Sequence, residues 1–259
     1  MQEKLRITTI QTNLFWEDIS KNLNNFESKI QTVKGKTDII ILPEMFSTGF
    51  SMTPGKFSQT MEGFSVNWMK KMASYSNALL IGSLIINDQG KHVNRLFAVQ
   101  PDGTFHHYDK KHLFAMAGEN KSYSAGADKL IISYKGWNIF PLICYDLRFP
   151  VWSRNQNNYD ILIYVANWPE KRSNHWKILL QARAIENQAF VVGVNRIGED
   201  GNQFKYSGDT CVIDALGQKI STTEAYKESI ETVILNKNEL DQVRKTLPFL
   251  QDSDPFILI

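Results

Sequence analysis

Thr37-Asp38-Ile39-Ile40-Ile41-Leu42-Pro43 is a short apolar run, and Glu44 follows it directly. Successive side chains of a strand point to opposite sides of its sheet, so a run without polar alternation reads as a strand covered on both faces. Ile161-Leu162-Ile163-Tyr164 and Phe190-Val191-Val192-Gly193-Val194 have the same character. Such strands need cover from helix layers or from a second, stacked sheet. The pattern therefore predicts a layered α/β fold.

Helical periodicity surrounds these strands. Ile19, Leu23, Phe26, Ile30 and Val33 repeat at spacings of four and three, which predicts an amphipathic helix. Phe64, Trp68, Met72 and Tyr75 mark a second. Strands are predicted at 6–11, 78–86, 95–100, 130–134, 137–143, 160–166, 190–195, 210–214 and 230–235. The turn-forming Asn87-Asp88-Gln89-Gly90 separates two of them, and Pro101-Asp102-Gly103 makes a further turn. Helices are expected from 150, around 176–187 and over 238–246. With no linker, repeat or low-complexity tract, residues 1–259 read as a single domain whose segment from about 248 is a tail.

Polar residues at strand ends carry the chemistry. Trp137-Asn138-Ile139-Phe140-Pro141-Leu142-Ile143 runs into Cys144, and a polar stretch starting at Tyr145 follows. A thiol where a strand turns toward a helix sits at a mouth. There the Tyr145 N–H and the helix N-terminus can favour a thiolate and bind a developing oxyanion. The competing reading is an inert buried cysteine, and position alone weighs the two equally. Glu44, on a mostly apolar loop, is costly unless paired or used. Lys110 and Lys111 close the strand that starts at Phe105. Singly such charges are more often surface residues. A thiol, a carboxylate and an ammonium at neighbouring strand ends supply a nucleophile, a general base and an electrostatic stabiliser.

Composition narrows the alternatives. Of 259 residues, 29 are Lys or Arg and 27 Asp or Glu, for a net charge of +2. That balance offers no broad basic field for nucleic acid or an anionic membrane. The apolar runs are too short to span a bilayer, and Met1-Gln2-Glu3-Lys4 leads straight into a predicted strand, so no signal peptide is expected. Two cysteines argue for a reducing, cytoplasmic compartment, with Cys211 in the core. His92, His106, His107, His112 and His175 have no metal-ligand spacing, and no phosphate-binding glycine loop is present, so neither metal nor cofactor is expected.

In these residues the chain resembles the nitrilase superfamily of carbon–nitrogen hydrolases. Leu42-Pro43-Glu44 is similar to its glutamate motif, Lys110-Lys111-His112-Leu113-Phe114 to its lysine motif, and Ile143-Cys144-Tyr145-Asp146-Leu147-Arg148-Phe149-Pro150 to its cysteine motif. The resemblance implies a four-layer α-β-β-α sandwich and a homodimer or higher homo-oligomer. It implies Glu44, Lys110 and Cys144 as the catalytic triad and selects Lys110 over Lys111. It also implies Glu119 as a second glutamate that helps position substrate, against the reading of a solvated loop carboxylate.

Asp146 to Asn155, Tyr164 to Pro169, His175-Trp176 and Ala182 to Gln188 are similar to the bacterial omega-amidases of that superfamily. These release ammonia from the terminal amide of 2-oxoglutaramate and related small 2-oxo acid amides. Other amidases, such as those acting on N-carbamoyl compounds, and true nitrilases would use the same triad, and a non-catalytic binding module would carry an inert thiol. Asn167 and Trp168 are expected to line the pocket, and Phe46 and Phe50 to wall it or merely pack. Among Arg148, Arg154, Arg172 and Arg196, Arg172 is preferred for the substrate carboxylate, with Arg148 structural. Arg183, on the apolar stripe of Trp176 and Leu180, is expected to pair with Glu186.

Overall fold

The computed structural model describes residues 3–156 and 158–258. Met1 and Gln2, read above as leading into the first strand, lie outside the described residues. The strands are β1 (Lys4–Gln11), β2 (Ile39–Ile41), β3 (Leu79–Asp88), β4 (Lys91–Val99), β5 (Phe105–Asp109), β6 (Ile132–Tyr134), β7 (Trp137–Ile143), β8 (Ile161–Ala166), β9 (Phe190–Asn195), β10 (Ile197–Glu199), β11 (Lys205–Ser207), β12 (Cys211–Ile213) and β13 (Ser229–Asn236). The helices are α1 (Ile19–Thr32), α2 (Pro54–Phe57), α3 (Phe64–Ser76), α4 (Glu119–Ser122), α5 (Pro150–Ser153), α6 (Ser173–Asn187) and α7 (Lys237–Thr246).

Two sheets carry the fold. One runs in the order β13-β1-β2-β3-β4-β5 and the other β12-β9-β8-β7-β6. The centre of each is parallel, β1-β2-β3 in the first and β7-β8-β9 in the second. Pleating splits the Ile39–Leu42 run between two cores. Ile39 and Ile41 join Leu5, Ile7, Leu79, Ile81 and strands of the second sheet in one buried cluster. Ile40 and Leu42 join Leu80, Phe97 and the inner faces of α1 and α3 in another. The first sheet is thus covered by helices on one side and by the second sheet on the other. Trp176, Leu180 and Ala184 of α6 cover the far side of the second sheet. A Cβ at Gly193 of β9 would lie 2.4 Å from Leu180, so only glycine allows that approach. The result is the α-β-β-α sandwich.

Local chemistry moves several boundaries. Gln89 (φ 52°) and Gly90 (φ 86°) are both left-handed, and Asp88 pairs with Lys91. This tight two-residue hairpin starts β4 at Lys91 rather than at 95. Residues 200–204 link the short antiparallel pair β10 and β11, which no sequence pattern predicts. The chain after Cys144 forms a 3-10 turn, Cys144–Arg148, and α5 then starts on Pro150, where the sequence places it, but ends after four residues.

One carboxylate ties the layers together. Asp38 accepts from the Arg6 N–H at 2.9 Å, from its guanidinium at 3.0 and 3.1 Å, and from Lys135 of the second sheet at 2.5 Å. Burial opposes the charge, but these donors outweigh it and hold the carboxyl below its ordinary range. A depressed folded value stabilises the protein above the unfolded pKa of about 4, and that stability is lost as pH falls below it. Asp38→Asn is expected to cost about 1–3 kcal/mol at neutral pH. Urea denaturation at pH 7 and pH 3 would show the gap between variant and native protein narrowing in acid.

Candidate active site

The residues singled out at strand ends converge in space. Glu44 lies just beyond β2, Lys110 follows β5, Cys144 follows β7 and Asn167 follows β8. The crevice beyond the carboxyl ends of parallel strands is where open α/β sheets place their sites.

Lys110 is fully buried and donates to Glu44 Oε1 at 2.8 Å and to Glu119 Oε1 and Oε2 at 2.9 and 3.0 Å. Burial works against its charge, but the carboxylates of Glu119 and Glu44 outweigh that and hold its pKa above the ordinary lysine value. Glu119 is itself fully buried, at the first position of α4, and accepts from the Phe114 N–H at 2.5 Å. Burial raises its pKa against the pull of Lys110, and Glu44 adds to the rise. Glu44 is fixed at its second oxygen by the Asn167 N–H at 2.8 Å, and the Asn167 side chain donates to the Glu44 carbonyl at 2.6 Å.

Cys144 faces this cluster from a strained turn. Its φ of 42° places a non-glycine residue in the left-handed region, as does the φ of 42° at Met45 beside Glu44. Asp146, fully buried, holds the turn. Its carboxylate accepts from Ile143 N–H at 3.1 Å, Tyr108 Oη at 2.8 Å and His112 N–H at 3.0 Å, and it lies 2.8 Å from His112 Nδ1. His112 also stacks on Phe149 with ring centroids 3.7 Å apart. Arg183 donates to the Leu147 carbonyl at 2.7 Å and to Glu186 at 2.9 Å, so the expected ion pair forms and also anchors the turn to α6. Burial and the neighbouring Glu44 push the Cys144 thiol well above its ordinary value, although Lys110 opposes them.

A cavity of about 520 Å³ opens over Cys144. Lys110, Tyr145, Asn167, Trp168 and Arg172 all line it, and Phe50 does too. Phe46 does not: it is fully buried, 5.5 Å from Phe26 and 5.7 Å from Trp68, because it faces the helix layer. Arg148, expected to be structural, also lines the cavity, with its guanidinium 4.7 Å over Trp168. Burial and the nearby Arg172 lower its pKa. Arg172 lies 5.2 Å over Phe114. Neither Arg154 nor Arg196 lines the cavity: Arg154 donates to the Glu186 carbonyl, and Arg196 to the carbonyls of Leu14, Ile197 and Glu199 and to Asn13.

Sequence reading missed Asp200, Asn202, Phe204 and Tyr206, which the β10–β11 hairpin brings to the rim. Strands of three residues carry too little periodicity to be read. It also missed Asn94, a buried polar residue within β4 that donates to Glu44 at 2.8 Å. Among the described residues no group of three or more His, Cys, Asp or Glu is arranged to hold a metal, and no helix is long and apolar enough to cross a membrane.

Lys110→Met would leave two buried carboxylates facing one another. It is expected to destabilise the fold by about 3–5 kcal/mol, the cost of removing one partner from a buried ion pair. Chemical denaturation measures this directly, and an unchanged midpoint would contradict the cluster geometry.

A family model described as carbon-nitrogen hydrolase matches residues 6–245. Omega-amidase YafV of Escherichia coli (strain K12) is 47% identical over 254 residues, covering 98% of both chains. The 2-oxoglutaramate amidase of Bacillus subtilis (strain 168) is 30% identical over 254 residues, covering 96% of this chain and 97% of the relative. Among solved structures, XC1258 from Xanthomonas campestris, a CN-hydrolase superfamily protein with an arsenic adduct in its active site, superposes with a TM-score of 0.97. It is 38% identical, with 100% of both chains covered. By family match, full-length identity and fold together, this chain belongs to the carbon–nitrogen hydrolase family.

Proposed function

We propose that the chain is an omega-amidase. It hydrolyses the terminal amide of 2-oxo dicarboxylic acid monoamides, such as 2-oxoglutaramate and 2-oxosuccinamate, to the 2-oxo acid and ammonia. The observation that carries this reading is the cavity. Cys144 and Lys110 line it, with Glu44 buried against Lys110, while Arg148 and Arg172 line its wall and form no ion pair with a carboxylate among the described residues. Two such guanidiniums over aromatic faces suit a substrate that brings its own carboxylate. The omega-amidase and 2-oxoglutaramate amidase relatives support the same substrate class.

The geometry supports the following reaction. The Cys144 thiol lies within hydrogen-bonding reach of Glu44, which with burial pushes its pKa up. As sulfur attacks the amide carbon, Glu44 takes the thiol proton. The oxyanion is met by the Lys110 ammonium and the Tyr145 N–H, which as second residue of the 3-10 turn has no acceptor within it. Glu44 passes its proton to the departing nitrogen, leaving a thioester on Cys144 and free ammonia. It then removes a proton from water, whose attack releases the acid and restores the thiol. Glu119 keeps Lys110 charged and pointed inward, and Asn167 and Trp168 shape the wall. Losing one oxyanion donor costs roughly 3–4 kcal/mol of barrier.

Two finer assignments belong to the same reading. Ile178 and Ile185 are half exposed on the outer side of α6, and we read that face as a homodimer contact. Free Cys144 and Cys211 fit the reducing cytoplasm.

Ammonia release is expected from 2-oxoglutaramate, with little from glutamine or an N-carbamoyl amino acid, and none from any of them with Cys144→Ala. No release from the oxo-amide by the native protein would refute the substrate assignment. Replacing Arg148 or Arg172 by methionine is expected to raise KM for the oxo-amide about tenfold to a hundredfold, the scale of one charged hydrogen bond. Steady-state kinetics would decide this, and unchanged KM in both variants would remove the arginines from the carboxylate site.

A further inference from the structure

We infer that Asn94 is a positioning residue that decides which oxygen of Glu44 does the proton transfer. This rests on the reading of Glu44 as the proton acceptor. Asn94 is fully buried in β4, and its backbone carbonyl accepts from the Lys110 N–H at 3.0 Å, so it sits across the strand pair from the ammonium. Its side-chain nitrogen lies 2.8 Å from Glu44 Oε1 and 3.5 Å from Glu119 Oε1. Its side-chain oxygen is buried with no partner among the described residues.

A primary carboxamide buried with its acceptor end unsatisfied is held by its donor end alone. Here that end faces two carboxylates. Glu44 Oε1 accepts from both Lys110 and Asn94, which occupies both of its lone-pair directions. Glu44 Oε2 accepts only the Asn167 N–H among the described residues and keeps one direction open for the thiol proton. Without Asn94 the two oxygens become equivalent in donor count, and Oε1 gains an open direction that competes with Oε2 for the thiol proton. A neutral donor at this point also relieves repulsion between two carboxylates without adding a charge that would compete with Lys110.

The Asn94 side chain faces Glu44 after β2 and Glu119 on α4, and these two interact in turn with Lys110 after β5, Tyr123 beyond α4 and Cys144 after β7. A carboxyl placed here can donate to Glu44 only while protonated. Once ionised it repels both glutamates.

The test uses two variants and a readout independent of the amide substrate. Alkylation of Cys144 by iodoacetamide is followed against pH, with Cys144→Ala as the blank for Cys211. Asn94→Leu is expected to slow alkylation about tenfold to a hundredfold, and to lower kcat for the oxo-amide similarly with KM unchanged. Asn94→Asp, which preserves shape, is expected to alkylate at a rate whose ratio to the native rate falls as pH rises. A purely structural role would leave that ratio flat, and a flat ratio overturns the inference even if Asn94→Leu fails to fold. Native alkylation and kcat in a folded Asn94→Leu also overturn it. Glu44→Gln is run alongside. If it leaves alkylation unchanged, both this inference and the role given to Glu44 fail, whereas an effect of Glu44→Gln with none from either Asn94 variant sinks this inference alone.

Discussion

A single ammonium buried between two carboxylates is the interaction on which the rest of this structure depends. Lys110 has no exposed surface and neither do Glu44 and Glu119. Each charge would be costly to bury alone, and removing any one would strand the others. The fold therefore has to deliver two separate strand ends and a short helix to one point. Asp38 between Arg6 and Lys135 performs a related service at the opposite end of the sheets, holding β1, β2 and the second sheet in register.

Around that cluster the backbone is held where it would not go unaided. Met45 and Cys144 both adopt positive φ, and each is retained by donors and acceptors from other segments. The Met45 N–H reaches the Ser83 hydroxyl at 2.8 Å. Asp146 gathers four contacts from Ile143, Tyr108 and His112 under the Cys144 turn. Strain so heavily overdetermined fits a site that must present a thiol in one orientation. Burial and Glu44 push the thiol pKa up, which suits a reaction in which Glu44 takes the proton as sulfur attacks.

Much of this was legible in the residues. Ile39 to Leu42 alternates between two cores, as a run apolar on both faces requires. Glu44, Lys110 and Cys144 stood out as polar groups closing apolar strands, and they meet. The reading failed where the signal was local but the reason was distant. Phe46 belongs to the helix-facing core because the turn at Met45 directs it there. Arg148 follows the cysteine by four residues, yet it opens onto the cavity beside Arg172. Asn94 lies mid-strand between Val93 and Arg95, where nothing in the neighbouring sequence marks it.

The sequence by itself determined which faces are apolar, where strands end and which groups wait at those ends, because these follow from side-chain alternation and from the cost of burying a charge. Only the tertiary structure decided which group meets which. Lys110 reaches Glu44 across 66 residues of chain and Asn167 reaches it across 123. Hydrogen bonds and Coulomb forces act over a few ångströms of space, and no periodicity in the chain records distances between segments that far apart.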